Sequence, residues 1–174
     1  MKKLEIINYI QYITMHEFKK PQDENIEKKY ISLIEQIKSL ISDEADPVAI
    51  LSNVSAAIQQ TFGWLWVGFY IVKEKELILG PFQGPVACFR IKKGDGVCGT
   101  SWEKRETIIV PDVEKFPGHI ACSSESKSEI VLPIFKNNKT FGVLDIDSKE
   151  FNSFNETDKK YLEKIIKVVE MKLV

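Results

Sequence analysis

The hydrophobic period of this chain changes twice, and that change constrains its architecture more than any other feature. From about Asn25, apolar residues recur at helical spacing: Ile26, Tyr30, Leu33, Ile34, Ile37, Leu40 and Ile41. A second helix is signalled at Asp46-Pro47, a capping side chain followed by proline at the first helical position. Its buried stripe is Ile50, Leu51, Val54, Ile58 and Phe62, and Gly63 marks its stop. Beyond Gly63 the period drops to two. Strands are expected at 64–72, 77–80, 86–91, 107–110, 129–135 and 140–147, with turns at Lys73 to Glu76 and at Asn137-Asn138. Residues 97–104 read as a short helix after the tight loop Gly94-Asp95-Gly96. A final helix from about Asn155 carries Tyr161, Leu162, Ile165, Ile166 and Val169. Helices at both ends of a mostly antiparallel sheet predict an α+β domain with helices packed on the sheet. Residues 1–25 read as an N-terminal helical extension, weakly patterned over 4–18 and closed by the polar break Lys19 to Asp23. The domain proper is then 26–174.

The 174 residues, 44% hydrophobic and 28% charged, suit one domain with one core. A net charge of -1 gives no field that favours nucleic acid or an anionic membrane. No apolar run approaches the roughly 20 residues of a spanning helix. The N-terminal stretch is interrupted by Asn8, Gln11, His16 and Glu17, unlike a secretory signal. The expectation is a cytoplasmic protein with neither nucleic acid nor membrane as partner.

That compartment decides how the three cysteines read. Cytosolic disulfides are usually transient, catalytic or sensing, and an odd number of thiols cannot pair fully within one chain. Any single cysteine is readily explained as a small buried hydrophobe. Here all three, Cys88, Cys98 and Cys122, fall in one stretch of the chain. Nine and twenty-three residues separate them, with no closely spaced pair of thiols, which disfavours zinc. No metal or cofactor is expected. Cys98 lies near the start of the short helix, where the helix dipole lowers a thiol pKa. His119 lies three residues before Cys122, placed either to stabilise a thiolate or to pack.

Strand alternation sorts the remaining candidates by face. Trp64, Trp66, Gly68, Tyr70 and Val72 share one face of the first strand, an aromatic wall with a glycine gap that suits a pocket or packs under a helix. Leu65, Val67, Phe69 and Ile71 form the core face. In the last strand Phe141, Val143, Asp145 and Asp147 share a face. Two carboxylates so placed repel and need a partner, and a buried one without a cation is costly. A bound ammonium group or a metal would resolve this. Glu129 shares its face with Val131, Pro133 and Phe135, a carboxylate at the edge of an apolar row.

Several strings occur in a telling order: Gly80-Pro81-Phe82-Gln83-Gly84, Ala87-Cys88, Gly96-Val97-Cys98-Gly99, Phe116 to Cys122 (FPGHIAC), Ser128 to Val131 and Gly142 to Ser148 (GVLDIDS). Together, over about residues 30–170, they resemble the free methionine-(R)-sulfoxide reductases, single GAF-domain enzymes. The resemblance implies a GAF fold, a six-stranded antiparallel sheet flanked by helices, commonly a homodimer. It implies reduction of free L-methionine (R)-S-oxide to methionine, with recycling by thioredoxin. Carried over by position, Cys122 is the attacking thiol, Cys88 a resolving thiol and Cys98 a third redox cysteine that is also a candidate nucleophile. Trp66 and Tyr70 become pocket-wall aromatics; Glu129, Asp145 and Asp147 become the substrate-binding and proton-handling carboxylates. Ser123, Leu65 and Glu114 stand where the family usually has Asp, Asn and His.

The residues suit that chemistry. A thiolate attacks sulfur while the oxygen is protonated, leaving a sulfenic acid. A second thiol condenses with it, and an external dithiol reduces the resulting disulfide. Glu129 is the expected proton donor. Asp145 and Asp147 are expected to hold the ammonium group, which excludes a sulfoxide inside a peptide. The competing class is a non-catalytic GAF domain, either a small-ligand sensor or a thiol redox sensor.

Overall fold

A computed structural model describes residues 18–120 and 122–173. Helix α1 (Ile26–Leu40) starts at Asn25, whose side chain accepts a hydrogen bond from the Lys28 amide. Helix α2 (Pro47–Phe62) is capped by Asp46, which accepts from the amides of Val48 and Ala49. It ends at Gly63 with φ of 72°, a left-handed conformation that suits glycine. Strands β1 (Trp66–Lys73), β2 (Glu76–Gln83) and β3 (Arg90–Lys92) follow, then helix α3 (Gly96–Lys104) and strand β4 (Ile108–Val110). After a single 3-10 turn (Val113–Lys115) come β5 (Ser128–Lys136), β6 (Lys139–Ser148) and helix α4 (Glu156–Glu170).

The six strands form one sheet in the order β3-β2-β1-β6-β5-β4, every neighbouring pair antiparallel. The α+β class and six-stranded antiparallel sheet expected from the sequence are what the chain adopts. Asn137 and Asn138, at φ of 50° and 60°, make the tight turn between β5 and β6.

The two faces of the sheet bury different things. Helices α1, α2 and α4 cover one, where Tyr30, Leu33, Ile58, Phe69, Leu144, Ile146 and Leu162 are fully buried. This side also buries a polar pair: the Tyr30 hydroxyl donates to Asp158 Oδ1 at 2.7 Å. Asp158 Oδ2 accepts from the Asn155 amide at 3.0 Å and closes the capping box of α4, so one carboxylate joins two helices. On the other face Trp66, Tyr70, Ile91, Val97, Cys98, Val131 and Val143 pack beneath α3 and the loops around it.

Three expectations change. The strand expected at 86–91 is only Arg90–Lys92. The chain before it runs over the sheet instead: Trp66 Nε1 donates to the Pro85 carbonyl at 3.1 Å and the Tyr70 hydroxyl to the Cys88 carbonyl at 3.0 Å. Trp64 does not share the face of Trp66. It lies before β1 begins, stacks on Phe62 at 4.3 Å and joins the helix-side core, while Leu65 packs on the opposite side. Phe141 also packs on the helix side, and Phe135 lies under the cations of Arg105 and Lys167. A register shift between Ile134 and Phe135 interrupts the alternation that the sequence reading extended through both residues. Of the helix expected at 4–18, all but Phe18 lies outside the described residues, and Phe18 packs against the helix-side core. Among the described residues, no helix is long and apolar enough to cross a membrane.

Candidate active site

The site grows from the pleat of β1, β5 and β6. Asp145 on β6 stands opposite Gly68 on one neighbour and Val131 on the other. Asp147 stands opposite Trp66 and Glu129. Three carboxyls therefore gather on one face of adjacent strands. Glu129 is 6% and Asp145 7% exposed, and among the described residues no lysine or arginine lines the pocket they share. Gly68 leaves room for an aromatic wall: a Cβ there would collide with the Trp66 indole and with Phe82. Trp66 stacks on Phe82 at 5.3 Å and lies 5.9 Å from Tyr70.

Seven of the eight residues singled out from the sequence line one cavity: Trp66, Tyr70, Cys98, Cys122, Glu129, Asp145 and Asp147. The eighth, Cys88, is joined to Cys122 by a disulfide across a Cα–Cα distance of 5.3 Å. Cys98 is a free, buried thiol. Ile120 and His119, from the loop before Cys122, and Val86 complete the rim.

Electrostatics set these groups apart. Burial pushes the Glu129 carboxyl well above the usual carboxylate range, and Asp145 and Asp147 push it further. Burial and then Asp147 do the same to Asp145. Asp147 rises to about 6 through burial, eased by the Ser126 hydroxyl that donates to its Oδ1. The cluster therefore holds protons when empty. Only two buried side-chain polar atoms among the described residues lack a hydrogen-bond partner, Asp145 Oδ1 and His119 Nδ1. Both belong to residues that line this cavity. Orphaned buried polar atoms are rare, and their coincidence in one cavity marks a place built for a ligand.

Cys98 does not behave as its helix position suggested. Burial raises its pKa well above the ordinary thiol value, and Asp145 and Glu129 add to the rise. The favourable dipole of the nine-residue α3 is outweighed by desolvation and neighbouring carboxyls. The Cys98 thiol and the carboxyls of Glu129 and Asp145 offer ligand atoms within 4.8 Å of one another, a set a divalent ion could bridge after displacing their protons. Ser126 escaped the sequence reading: it sits in a run with Ser123, Ser124 and Ser128, and no periodicity distinguishes it.

The GAF domain model matches residues 44–170. The chain is 46% identical to the free methionine-R-sulfoxide reductase of Saccharomyces cerevisiae over 156 residues, 83% of this chain and 87% of that one. The solved free methionine-R-sulfoxide reductase from Neisseria meningitidis, in complex with its substrate, superposes with a TM-score of 0.89 at 46% identity, covering 91% of this chain and 96% of that one. This chain belongs to the free methionine-R-sulfoxide reductase family. Within the same fold it is also 57% identical to GAF domain-containing protein A of Dictyostelium discoideum, over 83% of this chain and 92% of that one. Membership makes it an oxidoreductase. The strings that carried the family resemblance bring Cys98, Cys122, Glu129, Asp145 and Asp147 to the cavity, with Cys88 joined to it through the disulfide.

Proposed function

We propose that this chain reduces free L-methionine (R)-S-oxide to L-methionine through a sulfenic acid on Cys122 and a Cys88–Cys122 disulfide. The observation that carries the proposal is a proton-holding carboxyl cluster with an orphaned oxygen, beside two stacked aromatics and a formed disulfide.

In the reduced enzyme the Cys122 thiolate attacks the sulfoxide sulfur. Glu129, kept protonated by burial, gives its proton to the departing oxygen. Methionine leaves, and Cys122 carries the hydroxyl as sulfenic acid. Cys88 condenses with it, water is released and the disulfide of this structure is the product. Asp145 ionises on binding the substrate's ammonium, and Asp147, with its pKa of about 6, is already ionised at neutral pH to pair with it; the ammonium supplies the countercharge their burial lacks. A peptide nitrogen brings no such charge, so the site selects the free amino acid. Trp66 and Tyr70 enclose the apolar end of the substrate. Tyr70 keeps its phenolic proton, because burial and then Asp145 raise its pKa, and with it holds the Cys88 carbonyl. Cys98 stays protonated beside Asp145 and Glu129 and does not initiate attack.

Thioredoxin is the proposed reductant and the cytoplasm the proposed compartment, both in keeping with a disulfide formed and broken every turnover; a homodimer, which the family resemblance implies, is the proposed assembly. The test is to incubate the protein with free methionine-(R)-sulfoxide and dithiothreitol and measure methionine. The expected outcome is R-specific production, with none from a peptide-bound sulfoxide. Ligand binding without product would favour a sensor instead.

A further inference from the structure

The proposed cycle requires an external dithiol to reach the disulfide at each turnover, and the surface around that bond is unlike the rest of the molecule. Among the described residues the two most exposed large hydrophobic side chains are Val86, at 87%, and Phe89, at 79%. They flank Cys88 in the chain. Ile120, 38% exposed, lies two residues from Cys122. Isolated exposed hydrophobics need no explanation; three around one disulfide do. Beside them, at the β2–β3 edge, a surface hollow is lined by Lys73, Lys75, Arg90, Lys92 and Lys93 against two glutamates. Among the described residues only Arg90 of these five forms an ion pair, with Glu76 at 3.0 Å. This local excess of positive charge stands on a chain whose net charge is only -1.

We propose that Val86, Phe89 and Ile120 with the adjoining lysine ridge form the docking surface for an acidic protein dithiol whose reactive cysteine sits in an apolar rim. The inference rests on the sulfoxide-reductase reading. The apolar patch excludes water from the exchanging sulfurs, while the ridge steers an acidic partner. The docked thiolate attacks Cys88 Sγ, the sulfur between the two exposed side chains. The Cys88–Cys122 bond breaks, a mixed disulfide forms on Cys88, and Cys122 leaves as the thiolate the next cycle needs. The partner's second thiol then attacks its own sulfur in the mixed disulfide, and Cys88 leaves and takes up a proton. Two electrons and one proton pass from the partner, whose attacking cysteine is already a thiolate, to the enzyme, which is left with Cys122 as thiolate and Cys88 as thiol.

The test compares two reductants on the whole chain with free methionine-(R)-sulfoxide. One is dithiothreitol; the other is a thioredoxin of acidic net charge with its reductase and NADPH. The variant combines Phe89→Asp with Lys92→Glu and Lys93→Glu, surface residues outside the substrate cavity. The expected result is a rise of roughly tenfold or more in the KM for thioredoxin, reduced by salt, with dithiothreitol-driven turnover unchanged. An unchanged KM for thioredoxin overturns the docking surface and leaves the activity standing. Absence of methionine from the wild type with dithiothreitol overturns the activity and the surface with it. A smaller oligomer on gel filtration of the variant also overturns the proposal, assigning the patch to a second copy. A single-cysteine thioredoxin should be trapped on Cys88 in peptide mapping; trapping on Cys122 contradicts the assigned direction of attack.

Discussion

Strand β6 presents two chemistries one residue apart. Leu144 and Ile146 are fully buried against the helices, while Asp145 and Asp147 point into the cavity on the other side. Both faces contain buried polar groups, but they are treated differently. On the helix side Asp158 is fully engaged, accepting from Tyr30 and from the Asn155 amide. On the cavity side Asp145 Oδ1 has no partner. The helix face supplies stability and the cavity face holds groups that destabilise the empty protein. Such a division is expected where local rules yield to a binding site.

Truncating the helix face should cost the most. Leu144→Ala is expected to destabilise the protein by about 2–5 kcal/mol in denaturant unfolding. The surviving folded fraction should keep its KM. A comparable loss of affinity without loss of stability would break the division between faces. Asp145→Asn should do the reverse. Removing one charge from a buried ammonium–carboxylate pair should weaken binding of free methionine sulfoxide by roughly 30- to 900-fold, about 2–4 kcal/mol. The unfolding midpoint of the empty protein should stay level or rise, because an ionisable group that burial penalises is gone.

The smallest effect concerns pH and Asp147. Its folded pKa is about 6, above the usual aspartate value, so between pH 4 and 6 the native state binds the extra proton. Stability from this group is complete at the low end and is lost as pH rises through about 6, by at most about 3 kcal/mol for a pKa raised by about two. Asp147→Asn should flatten that slope in stability against pH, and saturating ligand should flatten it as well. Affinity for the ammonium should rise over the same window as Asp147 ionises. Calorimetric titration at pH 5 and pH 7 checks this; stronger binding at pH 5 would contradict it.

Much of this could be read from the sequence because strands impose a period of two. Once β1, β5 and β6 were recognised, Trp66, Tyr70, Glu129, Asp145 and Asp147 had to be sorted by face, and that sorting put them on the cavity side. It failed where the period fails. Trp64 precedes the strand, and next to the shift at Ile134/Phe135, Phe141 packs on the helix side while Phe135 lies under the Arg105 and Lys167 cations. The first part of the strand expected at 86–91 instead crosses the cavity mouth, held by Trp66 and Tyr70 through the Pro85 and Cys88 carbonyls. The state of Cys98 was illegible because a helix position is local, whereas desolvation and the carboxyls around it come from tertiary packing. Ser126 was hidden for the same reason: only the fold brings its hydroxyl to Asp147.

The account turns on which thiol meets the substrate. Reduced Cys88→Ser protein, which cannot close the disulfide, should be mixed with excess free methionine-(R)-sulfoxide without reductant. The product and the oxidised cysteine are then read by mass spectrometry with a sulfenic-acid probe. The prediction is one methionine per chain and the probe on the Cys122 peptide, with Cys98 still a free thiol. Methionine released with the probe on Cys98, or no methionine at all, would contradict it.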